Sequence, residues 1–581
     1  MSGERPATLP EVPDEREYEC DVLVVGSGSG GMTAALVAAH AGLQTLIIEK
    51  AAYFGGSSAL SGGAAWIPNN PVNVRAGVPD SFEKADLYLK SIVGDRVPEA
   101  RRHAFLEHGP ATIEFLEKET EYVRFGASPG YSDYHPEAPG GLASGRSMSP
   151  VAVDVKKLGA LAAELNRSDL LQPPAGIWLK PIEYRHLLLL TRTWRGRFTA
   201  LRVGFRTAVA RTLGRNMVSS GAAGSVRMRL AVRDAGIPLW LNTPLRSLIV
   251  DESGRVVGVE GEHDGAPITM RARRGVILAA GGFERNAEMR AKYQRAPITD
   301  TWTSGALTNT GDGIQAGIAI GADVELMDRS WWGPAMLTST RALFILSERS
   351  LPGSIMVSGK GERFVNESAP YVNVVDAMYD ANDAGKQTIP CHLIFDQGFR
   401  NRYPFLKVPP RMNLPQAWLD ENSVVTAPTV RVLAEKLGIP ADALEATVER
   451  FNQQARDGHD VDFGRGDSAY DHYYSDPTIK PNPNLAPLEK GPFYAVKLVP
   501  GDLGTSGGLR CDENAQVLRT DGSVIEGLYA TGNCSAAVMG HEYAGPGATI
   551  GPAMVFGYVA ARHIAGELGA ANSAMVEDAS A

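Results

Sequence analysis

The first fifty residues alternate between apolar runs and a glycine-rich break. Residues Cys20–Val25 form a continuous apolar run with the length of a strand that is buried on both faces. The glycine-rich segment 26–31 interrupts this run, and the alanine-rich stretch from 32 to about 40 predicts a helix. A second apolar run, Leu43–Ile48, predicts a further strand. The order of strand, turn, helix and strand indicates an α/β fold with a parallel sheet.

The glycines in the first turn have the spacing of a dinucleotide-binding motif. Gly26 permits the tight turn, Gly28 lets backbone N–H groups approach a pyrophosphate, and Gly31 lets helix and strand pack closely. The pyrophosphate would lie at the positive end of the helix dipole. Glu49, at the end of the second strand, is expected to accept hydrogen bonds from a ribose and to repel a 2′-phosphate. This unit predicts a Rossmann-type domain.

Further glycine-rich turns favour FAD over NAD as the dinucleotide. The segments 55–58 and 61–63 follow Glu49 closely and supply N–H groups beside a second part of an extended ligand. The strand Val276–Leu278 leads into Ala-Ala-Gly-Gly, and segment 527–533 ends another buried strand in a glycine turn. Because these motifs lie at both ends of the chain, the FAD-binding domain is predicted to be discontinuous.

The domain prediction places an inserted α+β substrate domain between two parts of the FAD-binding domain. Residues 18–331 and 503–570 are assigned to the FAD-binding domain and 332–502 to the substrate domain, with tails at 1–17 and 571–581. Within the insert, 441–457 is predicted to be an amphipathic helix with Leu444, Val448 and Phe451 on one face. The substrate is expected where the two domains meet.

Composition excludes several classes of protein. A chain of 581 residues is long enough for two domains, and its formal net charge of −9 argues against a nucleic-acid partner. No apolar run approaches the length of a membrane-spanning helix. The four cysteines are scattered, without metal-ligand or disulfide spacing, which is typical of a reducing cytoplasm, and no metal is expected.

One segment departs from the rest of the chain in both charge and pattern. The stretch 180–215 contains a single acid, Glu183, against nine basic residues: Lys180, Arg185, Arg192, Arg195, Arg197, Arg202, Arg206, Arg211 and Arg215. An apolar stripe at helical spacing runs through it: Trp194, Phe198, Leu201, Phe205 and Val209. A leucine run, Leu187–Leu190, precedes the stripe, while Gly196, Gly204 and Gly214 weaken the helix prediction.

This basic, apolar insertion, taken as 176–217, has the composition of an interfacial helix. Aromatic and leucine side chains opposite arginines suit the surface of an anionic membrane. The resulting hypothesis is peripheral attachment at the inner face of the cell membrane, which would spare an apolar substrate a passage through water. The alternative is a helical hairpin packed on its own protein, or an oligomer interface.

Segments along nearly the whole chain resemble the flavoproteins of the fumarate reductase/succinate dehydrogenase superfamily, and among them the 3-ketosteroid Δ1-dehydrogenases. The matching segments are GGSSALSGGAAWIPNN (55–70), YSDYHPEAPGG (131–141), NTGDGIQAG (309–317), RFVNESAPYVNV (363–374), GPFYAVKLVPGDLGTSGGL (491–509) and GLYATGNCSAAVMGHEYAGPGATIGPAM (527–554). Dicarboxylate enzymes of the superfamily need arginines for their substrates. The stretch 543–554 contains none.

The resemblance implies a set of catalytic residues. Tyr543 and the Gly547 N–H would grip the C3 carbonyl of a ketosteroid, as two donors of an oxyanion hole. Tyr371 would abstract the proton from C2, assisted by Tyr134. Ala544 stands where the family often has proline, a change expected to loosen this loop and to affect substrate preference. Arg349 is expected in an internal ion pair, and His541 and Glu542 in structural or flavin-side roles.

The resemblance also implies how FAD is held. Because Ser57 and Ser58 stand where succinate dehydrogenases carry a flavin-linking histidine, FAD is expected to bind non-covalently. The predicted cofactor-binding residues are Gly26, Ser27, Gly28, Ser29, Gly30, Gly31, Glu49, Lys50, Gly55, Gly56, Ser57, Ser58, Ser61, Gly62, Gly63, Ala280, Gly281, Asn309, Asp312, Gly532, Asn533, Gly547 and Ile550.

The implied reaction is oxidation of a 3-ketosteroid at C1–C2, with FAD as the acceptor and a quinone-like or dye acceptor re-oxidising it. Two other reactions remain alternatives because they need the same binding of the ketone oxygen: desaturation at C4–C5 of a 5α-steroid, and reduction of an α,β-unsaturated ketone. A flavin-binding redox sensor without turnover is the non-enzymatic alternative. The sequence leaves open the steroid side chain and the oligomeric state.

Overall fold

The computed structural model describes residues 16–167 and 176–568. Its strands are β1 Glu17–Val25, β2 Thr45–Ile48, β3 Ala65–Trp66, β4 Phe125–Ala127, β5 Ser147–Pro150, β6 Val153–Asp154, β7 Met217–Val218, β8 Leu239–Trp240, β9 Leu245–Val250, β10 Val256–His263, β11 Ala266–Leu278, β12 Val324–Glu325, β13 Ser330–Leu337, β14 Ala342–Phe344, β15 Ser354–Val357, β16 Cys391–Asp396, β17 Val424–Ala427, β18 Phe493–Thr505, β19 Gly508–Leu509, β20 Gln516–Leu518 and β21 Val524–Ala530.

Seventeen α-helices are distributed over the described residues. They are α1 Ser29–His40, α2 Gly56–Leu60, α3 Pro71–Arg75, α4 Phe82–Val93, α5 Glu99–Glu119, α6 Pro181–Leu188, α7 Trp194–Thr212, α8 Ser220–Asp234, α9 Ala287–Tyr293, α10 Asp312–Ala319, α11 Ser347–Ser350, α12 Tyr371–Asp383, α13 Gln397–Arg402, α14 Gln416–Asp420, α15 Val430–Leu437, α16 Ala441–Asp457 and α17 Ile550–Ile564. Within the described residues, no helix has both the length and the apolar character needed to cross a bilayer.

A parallel sheet forms the centre of the first domain. Its strand order is β20-β21-β11-β1-β2-β8, with β1 parallel to both β2 and β11, and β21 parallel to β11. β21 comes from the far end of the chain, so this sheet joins the two ends, as expected for a discontinuous Rossmann-type domain. The strands β9 and β10 extend β11 in antiparallel fashion.

Helices α1 and α17 cover one face of this sheet and touch through glycines. A Cβ at Gly557 would collide with the carbonyl of Gly30, and a Cβ at Gly30 would lie 2.7 Å from the carbonyl oxygen of Ala553. Small residues therefore let the two helix backbones meet beside the first glycine turn. α1 begins at Ser29, three residues before the predicted start, because glycine and serine carry little helix signal although their N–H groups form the first turn.

The second sheet belongs to the inserted α+β domain and is antiparallel. Its order is β14-β13-β18-β16-β15, with β17 also paired to β18. β13 begins at Ser330 and β18 ends at Thr505, so this sheet extends slightly beyond the predicted limits of 332 and 502. Helix α16 spans the predicted residues, and Leu444, Val448 and Phe451 are buried.

The predicted tails lie largely outside the described residues. Residues 1–15 and 569–581 are not described, and β1 begins at Glu17, the last residue assigned to the N-terminal tail. All four cysteines are buried and free.

Candidate active site

A single long cavity of about 790 Å³ runs from the first glycine turn to the inserted domain. The FAD-binding domain contributes Gly26, Glu49 and Asn309 to its walls. The inserted domain contributes Phe344 and Tyr371. The cavity therefore lies where the two domains meet, and its two ends differ in chemistry.

The first glycine turn forms a cradle that larger residues would fill. Gly26 has a φ of +112°, and a Cβ there would collide with the carbonyl oxygen of Ala279. A Cβ at Gly31 would collide with the carbonyl oxygen of Gly26, so this glycine packs the turn and does not line the cavity. Helix α1 starts after Gly28, which leaves its first N–H groups at the cavity wall. This is the geometry of a pyrophosphate site.

The carboxylate of Glu49 is fixed beside the first glycine turn, at the cavity wall. Its Oε2 accepts hydrogen bonds from the Ser27 amide at 3.0 Å and the Ser27 hydroxyl at 2.6 Å, and its Oε1 accepts one from the Ala51 amide at 2.9 Å. The Ser27 hydroxyl in turn accepts a bond from the Gly55 amide at 3.0 Å, so Gly55 supports the turn from behind and does not line the cavity. These bonds fix the orientation of the Glu49 carboxylate at the cavity wall.

The second glycine turn is tied to the segment around Asn309. The Ser57 hydroxyl accepts hydrogen bonds from the Ala306 amide at 2.9 Å and from Asn309 Nδ2 at 3.0 Å. Asn309 Nδ2 also donates to the buried Glu284 at 2.6 Å. Burial, with the nearby charge of Asp502, raises the pKa of Glu284 to about 7. Asn309 Nδ2 thus donates to two protein acceptors, which fixes the orientation of this amide.

The other predicted cofactor residues also line the cavity. These are Gly28, Ser29, Gly30, Lys50, Gly56, Ser58, Ser61, Gly62, Gly63, Ala280, Gly281, Asp312, Gly532, Asn533, Gly547 and Ile550. Lys50 is paired with Asp312 at 2.7 Å. The glycine cradle, the helix N-terminus and the oriented carboxylate together fit an adenine dinucleotide with an extended second half, which is the shape of FAD.

Three tyrosines meet where the cavity reaches the inserted domain. The ring centroids of Tyr134 and Tyr371 are 5.4 Å apart, and that of Tyr543 is 5.2 Å from each of them. All three side chains are buried and line the cavity. The Tyr543 hydroxyl faces the hydroxyl of Tyr371 and the N–H of Gly547. Two hydrogen-bond donors and a second phenol therefore converge on one region.

The loop that carries Tyr543 is held firmly despite alanine in place of the family's proline. The Ala544 carbonyl accepts hydrogen bonds from the Tyr134 amide at 3.0 Å and from the Tyr88 hydroxyl at 2.7 Å. Gly547 has a φ of +96°, and a Cβ there would collide with Ala64. Main-chain contacts, which alanine and proline share, thus fix this loop.

Burial favours the neutral form of the Tyr371 and Tyr543 phenols. Burial raises the pKa of Tyr371 well above its usual value, and a hydrogen bond with Tyr134 opposes this effect. Burial likewise raises the pKa of Tyr543, which the neighbouring hydroxyl of Tyr371 and the Gly547 amide partly offset. A neutral Tyr543 is a hydrogen-bond donor, whereas Tyr371 needs help to act as a base.

Tyr470 and Arg349 extend this cluster and were not predicted as site residues. The Tyr470 ring lies 4.8 Å from that of Tyr134 and is steeply inclined to it. Burial raises the pKa of Tyr470 to about 12, against the lowering effect of the Arg349 guanidinium. The expected ion pair of Arg349 is wrong: among the described residues its guanidinium donates to the carbonyls of Glu367 and Ala369 and faces Tyr470.

Trp331 is a further cavity residue that sequence reasoning missed. Its ring lies edge-on to Tyr543, with centroids 5.1 Å apart, and its Nε1 donates to Asn533 Oδ1 at 2.9 Å. It thereby joins the tyrosine end of the cavity to the glycine turn after β21. Both members of the pair Trp331-Trp332 lie in a buried strand, and the sequence carries no signal that distinguishes the one at the cavity wall from the one in the core.

His541 and Glu542 do not line the cavity, and Glu542 lies 3.4 Å from His135.

The basic insertion folds into a hairpin of α6 and α7 whose apolar stripe faces outwards. Trp194, Phe198, Leu201 and Phe205 are 81%, 67%, 73% and 73% exposed. The face of α7 that packs inwards carries small or polar residues: Gly196, Thr199, Val203 and Thr207. A Cβ at Gly196 would lie 2.7 Å from the carbonyl oxygens of His186 and Leu189, so this glycine sets the close approach of the hairpin.

Part of the insertion's positive charge is neutralised within the protein. Glu183 is buried between Arg202 and Arg206, at 2.8 and 2.7 Å. Arg192 is paired with Asp476 of the inserted domain at 2.8 Å. Arg195, Arg197 and Arg215 are exposed. The outward face is therefore still cationic, though less so than the sequence count indicated.

Comparisons with known proteins agree with this geometry. A family model described as an FAD binding domain matches residues 21–550. A 3-oxosteroid 1-dehydrogenase of Mycobacterium tuberculosis is 50% identical over 560 residues, which cover 95% of this chain and 99% of that protein. A 4-oxocyclohexanecarboxylate 2-dehydrogenase of Sinomonas cyclohexanicum is 36% identical over 562 residues, with 94% and 93% covered. The crystal structure of a 3-ketosteroid Δ1-dehydrogenase from Sterolibacterium denitrificans, in complex with 1,4-androstadiene-3,17-dione, matches with a TM-score of 0.90 and 39% identity, covering 94% of this chain and 100% of that one.

Proposed function

The chain belongs to the FAD-binding flavoprotein family that includes the 3-oxosteroid 1-dehydrogenases, and we propose that it catalyses the FAD-dependent 1,2-desaturation of 3-ketosteroids. The observation that carries this proposal is the convergence of Tyr134, Tyr371, Tyr543 and Gly547 at the end of a groove that fits FAD. The identity of 50% to the 3-oxosteroid 1-dehydrogenase of Mycobacterium tuberculosis exceeds the 36% to the 4-oxocyclohexanecarboxylate 2-dehydrogenase, which favours a steroid over a single-ring ketone.

The ketone oxygen of the substrate would be held by Tyr543 and Gly547. The neutral phenol and the main-chain N–H both donate to the oxygen, on which negative charge develops as the neighbouring carbon loses its proton. One such donor is typically worth about 2.7–4 kcal/mol of transition-state stabilisation. Because burial keeps water away from the two donors, their effect on the oxygen is strengthened.

Tyr371 would take the proton from C2. Burial disfavours its phenolate, so the phenol needs both an acidified substrate and a partner that stabilises the charged form. Tyr134 donates towards Tyr371, and Tyr470 with Arg349 stands behind Tyr134. The three hydroxyls and the Arg349 guanidinium form one line that ends on a permanent positive charge.

FAD, when bound, supplies the two-electron oxidant that accepts the hydride from C1. The glycine turns, Glu49 and the N-terminus of α1 would hold its dinucleotide part. Non-covalent attachment is part of the proposal, since Ser57 and Ser58 offer hydroxyls that are already hydrogen-bonded within the protein.

The decisive experiment is anaerobic mixing of the purified FAD-loaded protein with androst-4-ene-3,17-dione, followed by turnover with an artificial electron acceptor. The 1,4-diene is the expected product. Bleaching of the bound flavin by a 5α-saturated ketone alone would favour C4–C5 desaturation. If no steroid bleached the flavin, the redox-sensor alternative would replace the enzyme.

We also propose that the hairpin of α6 and α7 attaches the protein to an anionic membrane surface. The exposed stripe on α7 and the exposed cations Arg195 and Arg197 have the chemistry of an interfacial helix. The location inferred is the cytoplasmic face of the cell membrane, where a quinone-like acceptor would be at hand. An oligomer interface on the same stripe is the competing interpretation.

A further inference from the structure

The cavity continues beyond the tyrosines into an outer chamber that the proposed mechanism does not use. We define the outer chamber by five lining residues: Leu187 and Leu190 from the hairpin, and Leu406, Pro409 and Pro410 from the loop before α14. The hairpin is connected to the start of this loop, because the Thr191 hydroxyl donates a hydrogen bond of 2.6 Å to the carbonyl of Arg402, the last residue of α13.

Contacts along the wall show that the outer chamber is continuous with the catalytic end. The ring of Phe344 lies 5.2 Å from that of Tyr371, and Phe344 and Leu346 line the cavity next. Leu188, also a lining residue, packs in one buried cluster with Tyr473 and Tyr474, and Tyr131 and Leu346 pack against it. A ligand whose ketone lies at Tyr543 would therefore extend its opposite end towards the hairpin.

Three tyrosine hydroxyls and one carboxylate on the way to the outer chamber are hydrogen-bonded within the protein. The hydroxyls of Tyr131 and Tyr474 are 3.2 Å apart, and the Tyr184 hydroxyl is 3.1 Å from that of Ser347. The Glu348 carboxylate accepts the amides of Leu346 and Leu406 at 3.2 and 3.0 Å. Polar groups that are already hydrogen-bonded to each other give a ligand few new hydrogen bonds, so this surface favours an apolar ligand over a polar one.

We propose that the outer chamber is a subsite for an aliphatic substituent carried by the steroid at the end opposite its ketone. This inference rests on the proposed function and adds its substrate class: 3-ketosteroids that keep an alkyl side chain, as distinct from those with a small polar group there. Leu187 and Leu190 are its specificity-determining residues. The hairpin thus has two faces: the outward stripe on α7 is proposed to bind the membrane, and the inward leucines form part of the cavity wall.

The test compares two steroids on the same enzyme. Wild type, Leu187→Asp and Leu190→Asp are assayed with cholest-4-en-3-one and androst-4-ene-3,17-dione, each carried in cyclodextrin, in detergent without lipid. Both leucines are half-buried, so a charge can be introduced without breaking a core. Leu201→Asp is the matched control, since it makes the same change in the same hairpin on a side chain that faces outwards.

The expected result is a loss of at least about tenfold in kcat/KM for the alkyl steroid with each inner variant, with that for the dione nearly unchanged. Leu201→Asp should leave the ratio of the two substrates unchanged. An equal loss on both substrates, or none, would overturn the subsite.

A third substrate tests whether the outer chamber prefers a charged side chain, because Lys180 and Lys407 also line the cavity. If the wild type preferred 3-oxochol-4-en-24-oic acid over the alkyl steroid, the aliphatic assignment would be overturned. Absence of dione turnover by wild type would instead refute the proposed function.

Discussion

The rings of Tyr371 and Tyr543 lie 5.2 Å apart and nearly perpendicular, although they come from different domains. Tyr371 is the first residue of α12 in the inserted domain, and Tyr543 lies in the loop that returns to α17 of the FAD-binding domain. The proposed base and the proposed ketone donor therefore meet only when the inserted domain is docked. Neither domain alone carries a complete site.

Replacing the ketone donor should abolish most of the activity and spare the cofactor. For Tyr543→Phe we expect kcat with androst-4-ene-3,17-dione to fall about 10²–10³-fold, the effect of removing one oxyanion donor. FAD content, measured by absorbance after gel filtration, should stay at the wild-type level. Tyr558→Phe, on α17 and away from the cavity, is the control that should remain active. A fully active Tyr543→Phe would remove this residue from the mechanism.

Removing Tyr470 should shift the pH dependence of the reaction. Burial keeps Tyr371 protonated at neutral pH, so kcat/KM of the wild type should rise as the pH increases and the phenolate forms. In Tyr470→Phe the link from Tyr134 to Arg349 is lost, and the rise should move to higher pH by about one unit, the equivalent of one hydrogen bond.

Tyr473→Phe is the control for this experiment, because Tyr473 stacks on Tyr131 at 3.9 Å and stands outside the line of hydroxyls. Its pH profile should match that of the wild type. If Tyr470→Phe lowered the rate equally at every pH, Tyr470 would have only a packing role.

The cofactor groove could be anticipated from the sequence because each part of it leaves a local signal. Strand, glycine turn and helix follow one another within one short segment, and the Gly31 position is crowded by the Gly26 carbonyl of that same segment. The stripe on the hairpin was visible for the same reason, since helical spacing is a local property. The domain limits stay a prediction, because β18 pairs with β13 and with β16 along its length and no residue in it marks a boundary.

The rest of the site depends on contacts between distant segments. Tyr470 becomes a site residue only because the fold brings it to Tyr134, and nothing in its own neighbourhood distinguishes it from Tyr473 or Tyr474. Arg349 was expected in an internal ion pair, yet its guanidinium donates to main-chain carbonyls, and the carboxylate of the adjacent Glu348 accepts hydrogen bonds from backbone amides. Sequence spacing cannot report which buried charge is satisfied by main-chain groups.

Glu284 should make the stability of the protein depend on pH. Its folded pKa of about 7 lies above the value of an unfolded glutamate, so its contribution is fully present below about pH 4 and is lost as the pH rises to 7. The loss is about 3 kcal/mol at 1.4 kcal/mol per pH unit. Glu284→Gln should therefore flatten the pH dependence of Tm between pH 5 and 8, measured on cofactor-free protein. Glu260→Gln, an exposed change on β10, should not, and an unchanged profile in Glu284→Gln would show that the carboxyl is ionised throughout.

The hairpin stripe should decide whether the protein binds membranes. In the triple variant Phe198→Ser, Leu201→Ser, Phe205→Ser, three large exposed side chains are lost while the inward face of α7 is kept. Each of these side chains is worth about 1.5–3 kcal/mol when it leaves water, so we expect partitioning onto phosphatidylglycerol vesicles to fall at least a hundredfold. Raising the salt concentration should weaken wild-type binding, because the exposed arginines contribute through a screened attraction.

The same variant separates a membrane from a second protein copy as the partner of the stripe. Leu307→Ser removes an equally exposed apolar side chain outside the hairpin and should leave vesicle binding unchanged. If the triple variant bound vesicles as the wild type does but had a lower mass in sedimentation equilibrium, the stripe would be an oligomer contact. Turnover of androst-4-ene-3,17-dione in detergent is the control for folding, because α6 forms part of the cavity wall. If the triple variant keeps this turnover but loses vesicle binding, the loss is not caused by unfolding.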